Sequence, residues 1–135
     1  RQLYKRLGQY SFFQEQELYQ RLARRPYPWL VACSEEFAAT VSRRLGRRVA
    51  PHEILFDAPP MQREVEFQVQ IHFPKEACYR WLGEVSPVVQ TLAQRQFDDY
   101  VKRVRIFAHP RVASDLRGLS DLSSLVTETL DRMEA

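Results

Sequence analysis

A chain of 135 residues, 44% of them hydrophobic, is long enough to bury the core of one ordinary domain. Twenty basic against 17 acidic residues leave a formal charge of +3, a mild excess that excludes nucleic-acid binding driven by charge density alone. No run of about 18 apolar residues occurs, so no segment reads as a transmembrane helix, and eight prolines argue against a long helical bundle.

In chain order, residues 3–7 form a short basic stretch suited to an edge strand. Ser11-Phe12-Phe13-Gln14 fits a capping box, and a helix through Leu18, Leu22 and Ala23 follows, ending before Pro26. Residues 28–46 give the best helix. Ser34 is its expected cap, with Glu35 and Glu36 in the first turn, where the helix dipole favours anions. Phe37, Ala38, Val41 and Leu45 recur at three- and four-residue spacing, Arg43 and Arg44 fall in the last turn, and Gly46 terminates. Residues 29–33 fit either an extension of this helix or an extended run before it.

Ile54-Leu55-Phe56, closed by Asp57 and the Pro59-Pro60 pair, reads as a buried strand. Val65, Phe67, Val69, Ile71 and Phe73 alternate with Glu64, Glu66, Gln68, Gln70 and His72, which predicts an antiparallel strand with the first set facing the core. Residues 79–82 suggest another short strand. Ser86-Pro87 starts a helix with Val88, Val89, Leu92, Ala93 and Phe97 as its inward stripe. Residues 101–108 form a strand stopped by Pro110. A last helix, from about Asp121, carries Leu122, Leu125, Val126, Leu130 and Met133 on one face. The expected architecture is α+β: a mostly antiparallel sheet of three or more strands with helices packed on one face.

Catalytic signals are sparse. His52, His72 and His109 are scattered without metal-ligand spacing, no CxxC occurs, and no metal site is expected in the chain. Cys33 and Cys78 read as reduced core thiols of a cytoplasmic protein. Neither they nor any serine sits in a nucleophile elbow, so no catalytic residue is assigned. Three basic clusters stand out: Arg1, Lys5 and Arg6; Arg43, Arg44, Arg47 and Arg48; Lys102, Arg103 and Arg105. Arg103 and Arg105 share a strand face, which suits either a solvated surface or a phosphate site. The Arg43 to Arg48 group is more simply a helix end complementing its dipole.

The opening RQLYKRLGQY resembles the R-x-L-Y-K segment that follows the catalytic core in deoxynucleoside triphosphate triphosphohydrolases of the HD superfamily. EILFDAPP, EFQVQIHF and FDDYVKRVRIFAHPRV resemble later elements of the family's C-terminal region, in matching order. The resemblance implies that residues 1–135 are a single C-terminal lobe of a larger protein, a reading that a first residue other than methionine suits. The family's divalent metal is held by a His, a His-Asp pair and a distant Asp, all upstream of this region. The lobe itself is then non-catalytic, with no cofactor of its own, and the parent hydrolyses dNTPs to deoxynucleoside and triphosphate. The implied partners are the upstream HD catalytic domain, further copies in a homo-oligomer, and a dNTP or GTP effector. Residue by residue, the effector contacts carry over to Arg1 and Lys5, with Lys75 the nearest match to a further effector lysine; interlobe salt bridges are the other role open to Arg1 and Lys5. Two readings from other classes stand beside this one. One is a basic module for single-stranded nucleic acid, for which the sequence offers no evident exposed aromatics. The other is a ligand-free scaffold.

Overall fold

The computed structural model describes residues 3–60, 69–91, 102–118 and 121–135. The chain divides into two compact units, Arg1–Met61 with Arg103–Ala135, and Gln62–Lys102.

The first unit is α+β. Strands β1 (Lys5–Tyr10) and β2 (Ile54–Asp57) flank β5 (Val104–Ala108), and both pairings are antiparallel. Val104, Ile106 and Ala108 on β5, with Ile54 and Phe56 on β2, are buried, whereas Leu55 and Asp57 are exposed and Arg105 is half-buried. One sheet face is therefore dry and the other wet, as period-two strands require. The dry face joins one core with α1 (Gln16–Leu22), α2 (Tyr27–Leu45), α5 (Pro110–Leu116) and α6 (Leu122–Glu134). On α2 the buried set is Cys33, Phe37, Ala38, Thr40 and Val41, and the Phe37 ring meets Phe56 edge-on at 5.5 Å between centroids. Gly8 lies beside a bulge in β1, and a Cβ there would approach Leu122 Cδ2 to 2.6 Å. The missing side chain lets α6 close on the strand.

Several local expectations are corrected. Helix α2 begins at Tyr27, with Pro26 as N-cap and Pro28 in the first turn. Ser34 is not the cap but lies mid-helix, its hydroxyl donating to the Leu30 carbonyl at 3.1 Å. Residues 29–33 thus belong to the helix, because Trp29 and Cys33 extend the apolar stripe one turn upstream and proline is preset for a first turn. Ser11 to Gln14 is a turn: Ser11 Oγ accepts from the Gln14 amide at 3.1 Å, but the Ser11 amide donates to the Gln14 carbonyl. Helix α1 starts later, after Glu15, whose φ is 58°. The last strand stops before Pro110 as expected, but Pro110 also starts α5, a helix not expected there; His109 is the N-cap, with Nδ1 accepting from the Arg111 amide at 3.2 Å. Helix α6 follows Asp121 as expected, with the Asp121 carboxylate accepting from the Ser123 amide.

The second unit holds the hairpin β3 (Gln70–Phe73) and β4 (Cys78–Trp81), then the short helices α3 (Leu82–Val85) and α4 (Pro87–Thr91). Val65, Phe67, Leu92, Ala93, Phe97 and Val101 lie outside the described residues. Ile71 and Phe73 are half-buried while Gln70 and His72 are exposed, so the alternation keeps its expected sense. Val69, expected inside, is 51% exposed, and Val88 is 69% exposed. No described residue of this unit is fully buried. Among the described residues, no helix is long and apolar enough to cross a membrane.

Candidate anion-binding site

The site is built where the end of β5 meets the start of β2. Ile54 pairs with Ala108, so the residues just before Ile54 and just after Ala108 are neighbours across the sheet. The His109 amide donates to the Glu53 carbonyl at 2.9 Å and fixes that junction. Lys5 pairs with Ala108 from the other side, which places the start of β1 at the same sheet end. Tyr4 then reaches across: its hydroxyl donates to the His52 carbonyl at 2.5 Å, and its ring meets His109 edge-on at 5.9 Å. The segment before β2 is held by Ser42 on α2, whose Oγ accepts from the Val49 amide at 2.8 Å. This brings Arg48 and Ala50 to the same place.

The result is a cavity of about 540 Å³ lined by Arg48, Ala50, His52, Glu53, His109 and Arg111. Two arginines and two histidines line it against a single acid, Glu53. That carboxylate is already engaged, because Glu53 Oε1 accepts from the Ala50 amide at 3.0 Å and Oε2 from Arg111 Nη2 at 2.7 Å. The Ala50 hydrogen bond holds the Glu53 carboxyl below the usual carboxylate range; burial opposes this, and Arg111 and His109 add to the depression. Arg48 has no carboxylate partner among the described residues. Arginine forks with imidazole N–H donors on fixed backbone suit phosphate or carboxylate oxygens.

Most of the Arg43 to Arg48 cluster is paired with acids. Arg43 pairs with Glu36, Arg44 with Glu128 and Arg47 with Asp115, leaving Arg48 of that group to line the cavity. Arg105 lies 3.7 Å from Asp57 on the wet sheet face, which favours the solvated-surface reading of Arg103 and Arg105.

No family model matches the chain, and neither a curated protein nor a solved structure matches it.

Of the three residues assigned to an effector, Arg1 lies outside the described residues, Lys5 is exposed at the start of β1, and Lys75 sits in the β3–β4 turn of the second unit. Sequence reasoning did not single out Tyr4, Arg48, His52, Glu53, His109 or Arg111 as a group. The nearest available signal was the pairing of ILF with VRIFA, which would have made His52 and His109 neighbours. Neither thiol is poised for nucleophilic work at this site. Cys33 is fully buried, and burial pushes its thiol up to about 12, with Arg25 opposing slightly. Cys78 belongs to the second unit.

Proposed function

We propose that this chain is a non-catalytic regulatory lobe that recognises a polyphosphate anion within an HD-superfamily phosphohydrolase. The observation that carries this reading is the convergence of Arg48, His52, His109 and Arg111 at the sheet end where Tyr4 and Lys5 of the R-x-L-Y-K segment lie. In this reading the effector is a dNTP or GTP, Arg1 and Lys5 are further phosphate contacts, and the site is completed by the upstream HD domain or a second subunit of a homo-oligomer; Lys75, in the second unit, is not assigned to this cavity. The divalent metal and the hydrolysis of dNTPs to deoxynucleoside and triphosphate belong to the upstream domain. The parent is assigned to the cytoplasm.

The test uses the parent protein, with activity measured against effector concentration alongside melting temperature. A Lys5→Glu, Arg48→Glu double variant is expected to lose effector response while melting near the wild-type temperature. Unchanged activation in a variant that merely melts earlier overturns the reading and leaves interlobe bracing.

One observation favours the nucleic-acid alternative. Tyr79 and Trp81 are 64% and 45% exposed, and His72 stacks on Tyr79 at 4.7 Å, so the hairpin does present aromatic rings. Charge argues the other way, because residues 62–102 carry five basic and six acidic side chains. A net-acidic unit forfeits the counterion release that supplies most non-specific affinity.

A further inference from the structure

The anion cavity is lined by two histidines, and the fold holds them differently. His109 is engaged through one ring nitrogen: Nδ1 accepts from the Arg111 amide at 3.2 Å and caps α5. A nitrogen that accepts carries no proton, so the single proton of the neutral ring sits on Nε2. His109 therefore offers one N–H donor and no charge. Charging it would set a second N–H against the Arg111 amide and break the cap.

His52 is the opposite case. Its backbone is fixed, since its carbonyl accepts from the Tyr4 hydroxyl. Its imidazole is exposed and, among the described residues, makes no hydrogen bond. Either ring nitrogen can take a proton without disturbing a bond of the fold. The charged and titratable groups of this sheet end come from every neighbouring element. The start of β1 brings Tyr4 and Lys5, the segment after α2 brings Arg48, and the junction of β5 with α5 brings His109 and Arg111. From α2, which packs against the turn holding His52, the last-turn Arg43 and Arg44 are paired with Glu36 and Glu128. Glu53 favours positive charge on a nearby imidazole, but both its oxygens already have donors, the Ala50 amide and Arg111.

We infer that a polyphosphate bound in this cavity draws a proton from solvent onto His52 and none onto His109, which makes the cavity a proton-linked anion site. The inference rests on the polyphosphate reading of the same cavity and adds its regulation by pH. Imidazole is the side chain whose charge ordinarily changes between about pH 5 and 8. A bound polyanion favours the charged form of a ring beside it. Linkage is reciprocal, so the proton favours the anion to the same extent, and binding tightens as pH falls. The two histidines thus divide the work: His109 is a fixed neutral donor, and His52 supplies a charge that depends on pH.

The experiment titrates the full chain with inorganic tripolyphosphate at pH 8 and pH 5.5, as wild type, His52→Gln and His109→Asn. Imidazole ¹⁵N shifts of the wild type are read near pH 7, with and without the ligand. Tripolyphosphate itself gains protons over this range, but that change is common to the three chains and cancels between them. The gain in affinity from pH 8 to pH 5.5 is expected to be about tenfold larger in wild type than in His52→Gln. His109→Asn keeps a cap acceptor and loses the Nε2 donor, so it binds more weakly at both pH values and retains the wild-type gain. Saturating ligand moves the His52 nitrogens to imidazolium values and leaves His109 Nδ1 unprotonated. The ¹⁵N readout needs no variant, so it decides the question even where a substitution disturbs the fold. A wild-type gain retained in His52→Gln, or a ligand-induced proton on His109 Nδ1, overturns the inference and leaves the anion site standing. If tripolyphosphate shifts neither histidine at either pH, the polyphosphate reading itself fails, and this inference with it.

Discussion

Replacing Glu53 tests the junction on which the anion cavity is built. Glu53→Ala removes the acceptor for the Ala50 amide, a local capping bond worth about 1 kcal/mol. It also removes the 2.7 Å contact with Arg111, but Arg111 is 61% exposed, so that contact adds only about 0–1 kcal/mol. The expected destabilisation is about 1–2 kcal/mol at pH 7, read as a lower urea midpoint at unchanged slope. The pH dependence has a definite sign. The folded carboxyl is depressed below its unfolded value near about 4.3, so its contribution is complete above that value. It is lost as pH falls through the lower, folded value. Wild type and Glu53→Ala should therefore differ most at neutral pH and converge on acidification. Glu53→Gln, which keeps an acceptor for the Ala50 amide, should recover part of the neutral-pH loss. A gap between wild type and Glu53→Ala that stays constant from pH 7 to pH 3, or no gap at all, would refute the assignment of Glu53 as an ionised, hydrogen-bonded clamp.

Two further outcomes follow from the core. Phe37→Ala, which removes a fully buried ring packed edge-on against Phe56, should cost about 3–5 kcal/mol in denaturant unfolding; a loss below about 1 kcal/mol would contradict the packing described for α2. Cys33, its thiol raised to about 12 by burial, should resist alkylation at pH 8 until denaturant is added, whereas Cys78 should react in the native chain. Equal native rates, followed by peptide mass spectrometry, would show that the α2 core opens readily.

Much of the fold could be read from periodicity, and the exceptions have physical causes. Phe37, Ala38 and Val41 were legible because their spacing leaves one helical face, and Val104 and Ile106 because alternation leaves one sheet face. The start of α2 stayed open, and Ser34 was taken for its cap, because Ser34 has the chemistry of a cap, yet Pro26 and Pro28 already supply a first turn. Helix α5 was missed because Pro110 is both a strand breaker and a good first helical residue, and only the His109 cap distinguishes the two roles. Val69 and Val88 were assigned inward from pattern alone, but a pattern names a face without supplying anything to cover it. The candidate site shows the same limit. Lys5, singled out by its motif, starts β1 at the same sheet end but is not among the residues lining the cavity. Arg48, His52, His109 and Arg111 looked scattered because strand pairing between β2 and β5, not chain spacing, makes them neighbours.

The central claim, that this sheet end recognises a polyphosphate, is tested most directly by titrating the chain with inorganic tripolyphosphate while following the imidazole proton resonances of His52 and His109. The account predicts weak, saturable shifts at both histidines that diminish with added salt and are lost in an Arg48→Ala, Arg111→Ala variant that retains the wild-type amide spectrum elsewhere. Shifts confined to His72, or titration curves unchanged by the double substitution, would contradict it.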